Sequence, residues 1–207
     1  MQVERIINFE MNQNCFLVFD EHEKIGIVID PGCEGAKIKS RADALGVQVR
    51  YILLTHCHYD HIGGLRELRE LTGAKVCSSL NCSINIQNKR TNASYGFGDA
   101  LEEDPSDVLL ADGDVLEVGA LRFLCIATPG HTNGGMCYLA EGRLFSGDTL
   151  FLRNVGRWDL PTGNEEQLRD SIVKKLYTLE DETLVHPGHG NDTQIGYEKK
   201  FNLYVKA

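Results

Sequence analysis

The sequence predicts an α/β or α+β protein in which helices cover the faces of β-sheets. Short apolar runs rich in β-branched residues recur along the 207 residues, and their length suits buried strands. Segments whose apolar residues follow helical spacing lie between these runs, which is typical of layered sheets and helices. The chain is long enough for one sizeable core and shows no linker composition, so we expect one domain over residues 1–207.

The expected strands are short runs bounded by polar or glycine-containing segments. They are NCFLVFD (14–20), IGIVID (25–30), VRYILLT (49–55), AKVCSS (74–79), LRFLCIAT (121–128), GMCYLA (135–140), RLFSG (143–147) and TLVH (183–186). Several of them lead into loops that carry a histidine or an aspartate. Because loops at strand ends converge at one edge of a sheet, these polar side chains are candidates for a common site.

Other segments show the spacing of amphipathic helices. Apolar residues recur at positions 38, 42 and 45, and again at 65, 68 and 71. A further helix is predicted to begin after Asn164, a good N-cap with Gln167 at the capping-box position, and to run through Leu168, Ile172, Leu176 and Leu179. Residues 87–107 lack a clear period, and we expect either a lid or binding loop or a plain surface excursion there.

Composition and charge exclude several classes of function. The formal net charge of -9 and the lack of a basic face argue against a nucleic-acid partner. Glu4 and Arg5 interrupt the first apolar stretch, so we expect no signal peptide, and no run is long enough to span a membrane. The seven cysteines show no CxxC pairing, which indicates free thiols and a cytoplasmic location. A small-molecule substrate is expected, and the oligomeric state stays open.

The stretch THCHYDHIGG (55–64) contains the densest group of candidate ligands, namely His56, His58, Asp60 and His61. Imidazole and carboxylate are the ligands that intermediate divalent metals prefer. After an extended strand, His56 and His58 project in about the same direction and can chelate one ion. The chain then turns, so that Asp60 and His61 face a nearby point. The stretch therefore predicts a metal site.

Three later strand-end loops supply the ligands that two metal sites would still need. TPGHTNGG contains His131, SGDTLF contains Asp148, and HPGHG contains His189. Asp148 closes an apolar strand, where its carboxylate can bridge two ions. His22, in a polar turn, and His186, at a strand end, are expected to be structural or solvent-facing.

These motifs resemble the metallo-β-lactamase superfamily of metallohydrolases. The order H-x-H-x-D-H, then His, Asp and His, carries the likeness over nearly the whole chain, and VGRWDLPTGN and HPGHGNDTQIGYEKKFN are closest to the short glyoxalase II-like branch. The resemblance implies an α+β fold, a four-layer αββα sandwich with metals at one edge. It also argues against a true β-lactamase, because those enzymes lack an acidic bridging ligand at the position of Asp148.

The resemblance also implies a ligand set and a reaction. The first metal would be bound by His56, His58 and His131, the second by Asp60, His61 and His189, and Asp148 would bridge them. Zinc is the expected metal, with iron or manganese as alternatives. The expected reaction is hydrolysis of a small thioester or ester by a hydroxide that bridges the two ions, without a nucleophilic side chain, since bound metals lower the pKa of water from about 15.7 to about 7.

Other functions stay open on the sequence alone. Persulfide dioxygenases also resemble this chain, including the GR-x-D stretch, and use a single iron, which His58, His131 and Asp148 could hold as a 2-His-1-carboxylate triad. Lactonases and phosphodiesterases use the same pair of metals, because specificity lies in the loops. A non-catalytic, metal-stabilised binding module is a further alternative.

Substrate binding is predicted to involve Arg157. Its guanidinium can meet a substrate carboxylate, or it can form a structural ion pair with an acidic neighbour. Full-length glyoxalase II enzymes, which the chain resembles, continue into a helical domain that grips glutathione, whereas this sequence ends at residue 207, shortly after His189. We therefore expect weak activity on the glutathione thioester.

Overall fold

Two six-stranded β-sheets dominate the computed structural model, which describes residues 1–8, 10–96 and 100–206. The first sheet has the order β1-β2-β3-β4-β5-β6 and contains β1 (Gln2–Asn8), β2 (Gln13–Phe19), β3 (Ile25–Ile29), β4 (Gln48–Leu53), β5 (Lys75–Ser78) and β6 (Val108–Leu109). Its first three strands are antiparallel, and β3 to β6 are parallel.

The second sheet has the order β14-β13-β10-β9-β8-β7. Its strands are β7 (Val115–Val118), β8 (Leu121–Ala127), β9 (Met136–Ala140), β10 (Arg143–Gly147), β13 (Leu184–Pro187) and β14 (Thr193–Gln194). A small ribbon of β11 (Leu150–Phe151) and β12 (Asn154–Val155) follows β10. Because β10 and β13 are parallel, the loops that follow them leave the same edge of the sheet.

Helices lie on the outer faces of both sheets. They are α1 (Gly35–Leu45), α2 (Tyr59–Ile62), α3 (Leu65–Thr72), α4 (Leu80–Asn85), α5 (Glu165–Lys174) and α6 (Ile195–Phe201), with a 3₁₀ turn at Leu176–Thr178. Across the described residues, no helix has both the length and the apolar character needed to cross a membrane.

Three apolar clusters separate the four layers. The first packs α1 and α3 onto one face of the first sheet, the second fills the space between the sheets, and the third packs α5 and α6 onto the second sheet. Strand β2 shows the arrangement directly, since Cys15 and Leu17 face the helices while Phe16 and Val18 face the other sheet. The predicted αββα sandwich is confirmed.

Most of the predicted elements are present, with shifts at their ends. All of the predicted strands form, as do the helices over 38–45 and 65–71. Asn164 caps α5, because its Oδ1 accepts a hydrogen bond from the backbone N–H of Gln167 at 2.9 Å. The prediction that this helix continues to Leu179 is wrong, since Lys175 leaves helical geometry (φ -121°) and a 3₁₀ turn follows.

The predicted loop over residues 87–107 contains neither helix nor strand in its described parts, 87–96 and 100–107. Asn92 is fully buried there, and its side chain donates hydrogen bonds to the carbonyls of Ile86 and Leu101. The carbonyl of Asn92 accepts a hydrogen bond from the backbone N–H of Tyr59 at 2.9 Å. The loop is therefore attached to the start of α2, and whether it acts as a lid stays a prediction.

Candidate metal centre

The loops that follow β3, β4, β8, β10 and β13 meet at one edge of the sandwich. After β4, His56 and His58 lie in the loop, and Asp60 and His61 lie in the short helix α2 that follows it. The loops after β8, β10 and β13 carry His131, Asp148 and His189. Ligand atoms of His56, His58 and His131 lie within 4.8 Å of one another, and so do those of Asp60, His61 and His189. The structure thus brings the predicted ligands together as two groups of three.

Asp148 lies between these two groups. Its Oδ1 is 3.3 Å from His61 Nε2, and its Oδ2 is 3.6 Å from His131 Nε2 and 3.7 Å from His189 Nε2. In the second group, Asp60 Oδ2 is 3.1 Å from His189 Nε2. One carboxylate therefore contacts histidines of both groups, as a ligand shared by two ions must.

The protein does not satisfy the hydrogen-bonding capacity of the atoms that point into this space. The Nε2 atoms of His56, His58 and His131 and Oδ1 of Asp148 are buried without a hydrogen-bond partner. Buried polar atoms without a partner are rare in folded proteins, because each costs about 1–3 kcal/mol. Their convergence, and their chemistry as imidazole and carboxylate donors, fits divalent metal ions.

Hydrogen bonds on the opposite ring nitrogens hold these histidines in one orientation. His131 Nδ1 is 2.6 Å from the carbonyl oxygen of Arg157, and His189 Nδ1 is 3.0 Å from that of Asn12. A carbonyl can only accept, so each Nδ1 carries a proton, and in His131 Nε2 keeps its lone pair for a ligand bond. In His189, burial disfavours the imidazolium, but the hydrogen bond between Nε2 and Asp60 at 3.1 Å outweighs this and raises the pKa, so a cation bound at that Nε2 would displace a proton.

The buried carboxylate of Asp30 fixes two more histidines. Its Oδ2 is 2.9 Å from His61 Nδ1 and accepts the hydroxyl proton of Thr55 at 2.6 Å. Since that hydroxyl has given its only proton to Asp30, it must accept from His56 Nδ1, 3.0 Å away. Asp30 and Thr55 therefore set the tautomers of His61 and His56 so that both Nε2 atoms face the centre.

The loop that carries His189 is attached to the segment that enters β2. The Asn14 backbone N–H donates to the carbonyl of Gly188 at 2.7 Å, and its side chain donates to the carbonyls of Pro187 at 3.0 Å and Gly190 at 2.9 Å. Gly188 itself has no room for a side chain, since a Cβ there would lie 2.4 Å from Asp148 Oδ1. The loop can pass this close to the centre only with glycine.

Burial and mutual charge set the ionisation of the centre. Burial lowers the pKa of His56 and His131, and that of His58 to about 3, so these imidazoles are neutral. Burial also opposes ionisation of Asp148, but the neighbouring His61 outweighs it and holds the pKa of that carboxyl below its usual value.

His61 behaves in the opposite way. Its burial disfavours the imidazolium, but the carboxylates of Asp148, Asp60 and Asp30 outweigh this and raise its pKa well above the usual value. A cation bound at Nε2 must displace that proton, so binding at the second group releases a proton from His61.

Side chains that flank the ligands are turned away from the centre. Cys57 is fully buried in the helix-facing cluster, with Sγ 3.6 Å from the Thr91 carbonyl, and burial raises the pKa of its thiol to about 12. The Ser146 hydroxyl is buried and donates to the carbonyl of Leu150 at 2.8 Å. Neither is placed to act as a nucleophile.

Arg157 enters the site through its backbone. Its carbonyl holds His131, while its exposed guanidinium forms two hydrogen bonds with Asp159, at 2.8 and 2.9 Å. The ion pair with an acidic neighbour, one of the two predicted alternatives, is present. Contact with a substrate carboxylate stays a prediction.

The sequence did not reveal the supporting residues Asp30, Thr55, Asn12 and Asn14. Asp30 and Thr55 stand at the ends of predicted strands, which is the one sequence signal that could have included them.

The expected structural role of His186 agrees with its position, since its ring is buried and stacks on Phe145 with ring centroids 5.2 Å apart.

We predict that Asp30→Asn weakens metal binding by about 10–100-fold, the effect typical of losing a hydrogen-bond partner of a ligating histidine. Asp30 Oδ1 accepts from the Thr55 backbone N–H at 2.7 Å, and Oδ2 accepts from the Thr55 hydroxyl and from His61. An asparagine side chain cannot accept at both positions, because its amide nitrogen only donates. Competition with a chromophoric chelator measures the affinity. Asp20→Asn is the matched control. Asp20 also follows a strand and accepts hydrogen bonds from backbone N–H groups, but it only caps the turn at His22 and is far from the ligands in sequence. Wild-type affinity in Asp30→Asn would contradict the assigned role.

Comparison with known proteins agrees with this arrangement. Residues 9–189 match the family model of the metallo-β-lactamase superfamily. The hydroxyacylglutathione hydrolase GloC of Haemophilus influenzae is 32% identical, with 100% of this chain and 99% of that protein covered. The likeness to this hydrolase therefore extends over the full length of both chains.

Solved structures with the same fold carry different names. BLEG-1 B3 metallo-β-lactamase superposes with a TM-score of 0.93 at 29% identity, covering 100% of both chains. TTHA1623 in a di-iron-bound form gives 0.85 at 31% identity, covering 99% of this chain and 100% of that one. ETHE1 from Myxococcus xanthus gives 0.82 at 33% identity, covering 99% and 84%. The fold alone therefore does not identify a substrate, and the chain belongs to the metallo-β-lactamase superfamily.

Proposed function

We propose that the protein hydrolyses small thioesters or esters, in the manner of glyoxalase II, with two divalent metal ions. The observation that carries this proposal is the position of Asp148, whose two oxygens lie 3.3 Å from His61 Nε2 and 3.6 Å from His131 Nε2. A centre for one ion, such as His58, His131 and Asp148 could form, would not need the second group of ligands on the other side of that carboxylate.

The proposed ligand set follows the two groups. The first ion would be held by His56, His58 and His131, the second by Asp60, His61 and His189, and Asp148 would be shared. Divalent ions in such a pair polarise a carbonyl oxygen and lower the pKa of water from about 15.7 to about 7. Zinc is the proposed metal, because neutral imidazole and carboxylate suit it.

The chain's own residues orient and ionise this centre. The carbonyls of Arg157 and Asn12 and the side chains of Asp30 and Thr55 keep protons on Nδ1, so that Nε2 faces inward. Ser146 and Cys57 are turned away, so neither of these two flanking side chains provides a nucleophile. The protein would therefore position the ligands, and the ions would activate water.

The relatives support thioester hydrolysis without identifying the substrate. GloC is named as a hydroxyacylglutathione hydrolase and aligns over its whole length. The named B3 β-lactamase BLEG-1 has the same fold, so β-lactam cleavage belongs in the same set of assays. Lactones and phosphodiesters complete that set, because the same pair of ions would serve them.

The second candidate is a dioxygenase with a single iron bound by His58, His131 and Asp148. Iron is a candidate metal because TTHA1623, which has the same fold, is known in a di-iron-bound form. It also means that iron alone does not separate the two candidates, since two irons per chain would still fit a dinuclear hydrolase. The number of ions must be measured together with their identity.

We predict about two divalent ions per chain, zinc foremost, in protein purified without chelator. Elemental analysis against protein concentration measures both number and identity. One iron per chain, with oxygen uptake on a persulfide substrate, would replace hydrolysis by the dioxygenase. Two ions without hydrolysis of any tested thioester, ester, lactone, phosphodiester or β-lactam would favour a binding module.

We predict that Asp148→Ala lowers kcat by orders of magnitude and reduces the metal content, because it removes the shared ligand. The control is His22→Ala, in the exposed turn after β2, which should keep wild-type metal content and rate. Steady-state hydrolysis and elemental analysis are measured on the same preparations. Normal metal content and rate in Asp148→Ala would make the bridging assignment wrong.

We predict slow, weakly saturating hydrolysis of S-lactoylglutathione and a preference for a smaller or differently shaped acyl thioester. The peptide part of glutathione would gain little binding energy from this protein. The Arg157 guanidinium is already paired with Asp159, and the net charge of -9 repels the anionic peptide. Steady-state kinetics would contradict this with a micromolar KM and fast turnover.

Arg157→Ala tests the role of the guanidinium, because loss of a carboxylate contact raises KM for glutathione thioesters but not for an uncharged thioester.

A further inference from the structure

We propose that Glu198, in α6, is a positioning residue of the metal centre and acts by fixing the place of the β11–β12 ribbon. Glu198 is fully buried and does not belong to either group of ligands. The ribbon runs from Asp148 to Arg157, whose carbonyl holds His131. This inference rests on the metal ions of the proposed function, but it does not depend on which substrate is hydrolysed.

Both ends of the ribbon lie at the metal centre. Asp148 stands just before β11, and Arg157 stands just after β12. The returning chain packs so closely that a Cβ on Gly156 would lie 1.8 Å from the Asp148 carbonyl oxygen and 3.0 Å from His131 Nδ1. The carbonyl oxygen of Arg157 is 2.6 Å from the same Nδ1. A displacement of the ribbon therefore moves the shared carboxylate and the support of His131 together.

The ribbon is too short to hold its own turn in place. Each of its strands has two residues, and even longer isolated hairpins are only marginally stable. The turn residues 152–154 are exposed, so burial does not fix them. Arg153 also has a left-handed backbone (φ 57°), which a residue with a Cβ adopts only at a cost. The position of the turn therefore depends on contacts from outside the ribbon.

Those contacts come from the C-terminal helix and the residue that follows its cap. Within the described residues, the hydrogen bonds that reach positions 152–154 from outside the ribbon are made by Glu198, Asn202 and Leu203. Asn202 Nδ2 donates to the carbonyl of Asn154 at 3.1 Å, and the backbone N–H of Leu203 donates to that of Arg153 at 3.4 Å. The ribbon turn is thus held by α6 and its C-terminal end.

Glu198 is the centre of this set of contacts. Its Oε2 accepts hydrogen bonds from the backbone N–H of Arg153 at 2.9 Å and from the side chain of Asn202 at 2.8 Å. Its Oε1 accepts from the hydroxyl of Thr193, in β14, at 2.6 Å. The carboxylate therefore joins the turn of the ribbon to a strand of the second sheet.

Stability alone does not explain a carboxylate at this position. The three groups that donate to Glu198 are uncharged, namely a hydroxyl, an amide and a backbone N–H. A buried carboxylate is costly unless opposite charge compensates it, and an apolar side chain in its place is often at least as stable. Three directional hydrogen bonds, however, fix one position of the turn, which apolar packing does not. The carboxylate therefore serves the geometry of the ribbon.

The ribbon also carries an aromatic side chain to the second group of ligands. The half-buried ring of Phe151 lies 6.3 Å from the His189 ring, measured between centroids, and the two planes are nearly perpendicular at 86°. A shift of the ribbon thus changes the surroundings of the second group as well as the ligand shared by both. Glu198 therefore acts on the whole centre through one element.

Zinc affinity and the visible spectrum of the cobalt(II)-loaded protein test this role without any substrate. Glu198→Ala removes all three hydrogen bonds. We expect zinc to bind about tenfold more weakly, the lower end of the effect of losing a partner that orients a ligand. The cobalt absorption bands should also change, because they report the arrangement of the ligands. Wild-type zinc affinity and an unchanged cobalt spectrum in folded Glu198→Ala would overturn the proposal.

Glu198→Gln is the rescue variant. Its amide oxygen can accept from Arg153 and Asn202, and its amide nitrogen can donate to the hydroxyl of Thr193, which accepts as well as donates. Zinc affinity and the cobalt spectrum should therefore stay close to those of the wild type. A loss as large as that in Glu198→Ala would show that the hydrogen bonds do not carry the effect, and it would overturn the proposal.

Asp107→Ala is the matched control for a general loss of stability. Asp107 also accepts a backbone N–H, that of Val76 at 2.8 Å, and a side-chain donor, Arg69 at 2.6 Å, but these contacts join β5 and α3. This variant should lower the Tm of the metal-free protein and keep wild-type zinc affinity and cobalt spectrum. Zinc binding weakened as much as in Glu198→Ala would mean that lost stability is the cause, and the positioning role would be wrong.

Thr193→Val decides the question if Glu198→Ala does not fold. It removes only the hydroxyl that holds Oε1, so zinc binding should weaken in the same direction, and wild-type affinity would then overturn the proposal. Wild-type protein that binds no divalent ion would overturn the proposed function together with this inference. Wild-type protein that binds two ions, with Glu198→Ala binding them equally well, would overturn the positioning role alone.

Discussion

The contact of one carboxylate with histidines from several loops is the constraint on which the rest of the site depends. Asp148 lies within 3.7 Å of Nε2 of His61, His131 and His189. A buried carboxylate costs several kcal/mol unless opposite charge compensates it. The protein supplies part of that compensation by raising the pKa of His61, and it leaves the imidazoles of the first group neutral. The centre thus keeps an excess of negative charge, which a divalent cation neutralises.

The supports of the ligands explain why so much of the chain must fold before this centre exists. The carbonyls of Asn12 and Arg157 and the carboxylate of Asp30 come from three separate segments, and each accepts a hydrogen bond from the Nδ1 of one imidazole ring. The parallel pairs β3–β4 and β10–β13 bring those segments to one edge. The two sheets are therefore needed together, because Asn12 and Asp30 adjoin strands of the first sheet, whereas Arg157 follows the ribbon after β10 of the second.

The sequence predicted the ligands better than their supports for a physical reason. Metal ligands come from a few residue types, among them histidine and aspartate, so candidates are visible in the sequence. A supporting carbonyl such as that of Arg157 exists in every residue. Likewise, the buried strands were predicted from their apolar runs, but β1 was not, since only Ile6 of its residues is buried. The early end of α5 at Lys174 could not be predicted either, because Leu176 and Leu179 keep the apolar spacing after the helix has ended.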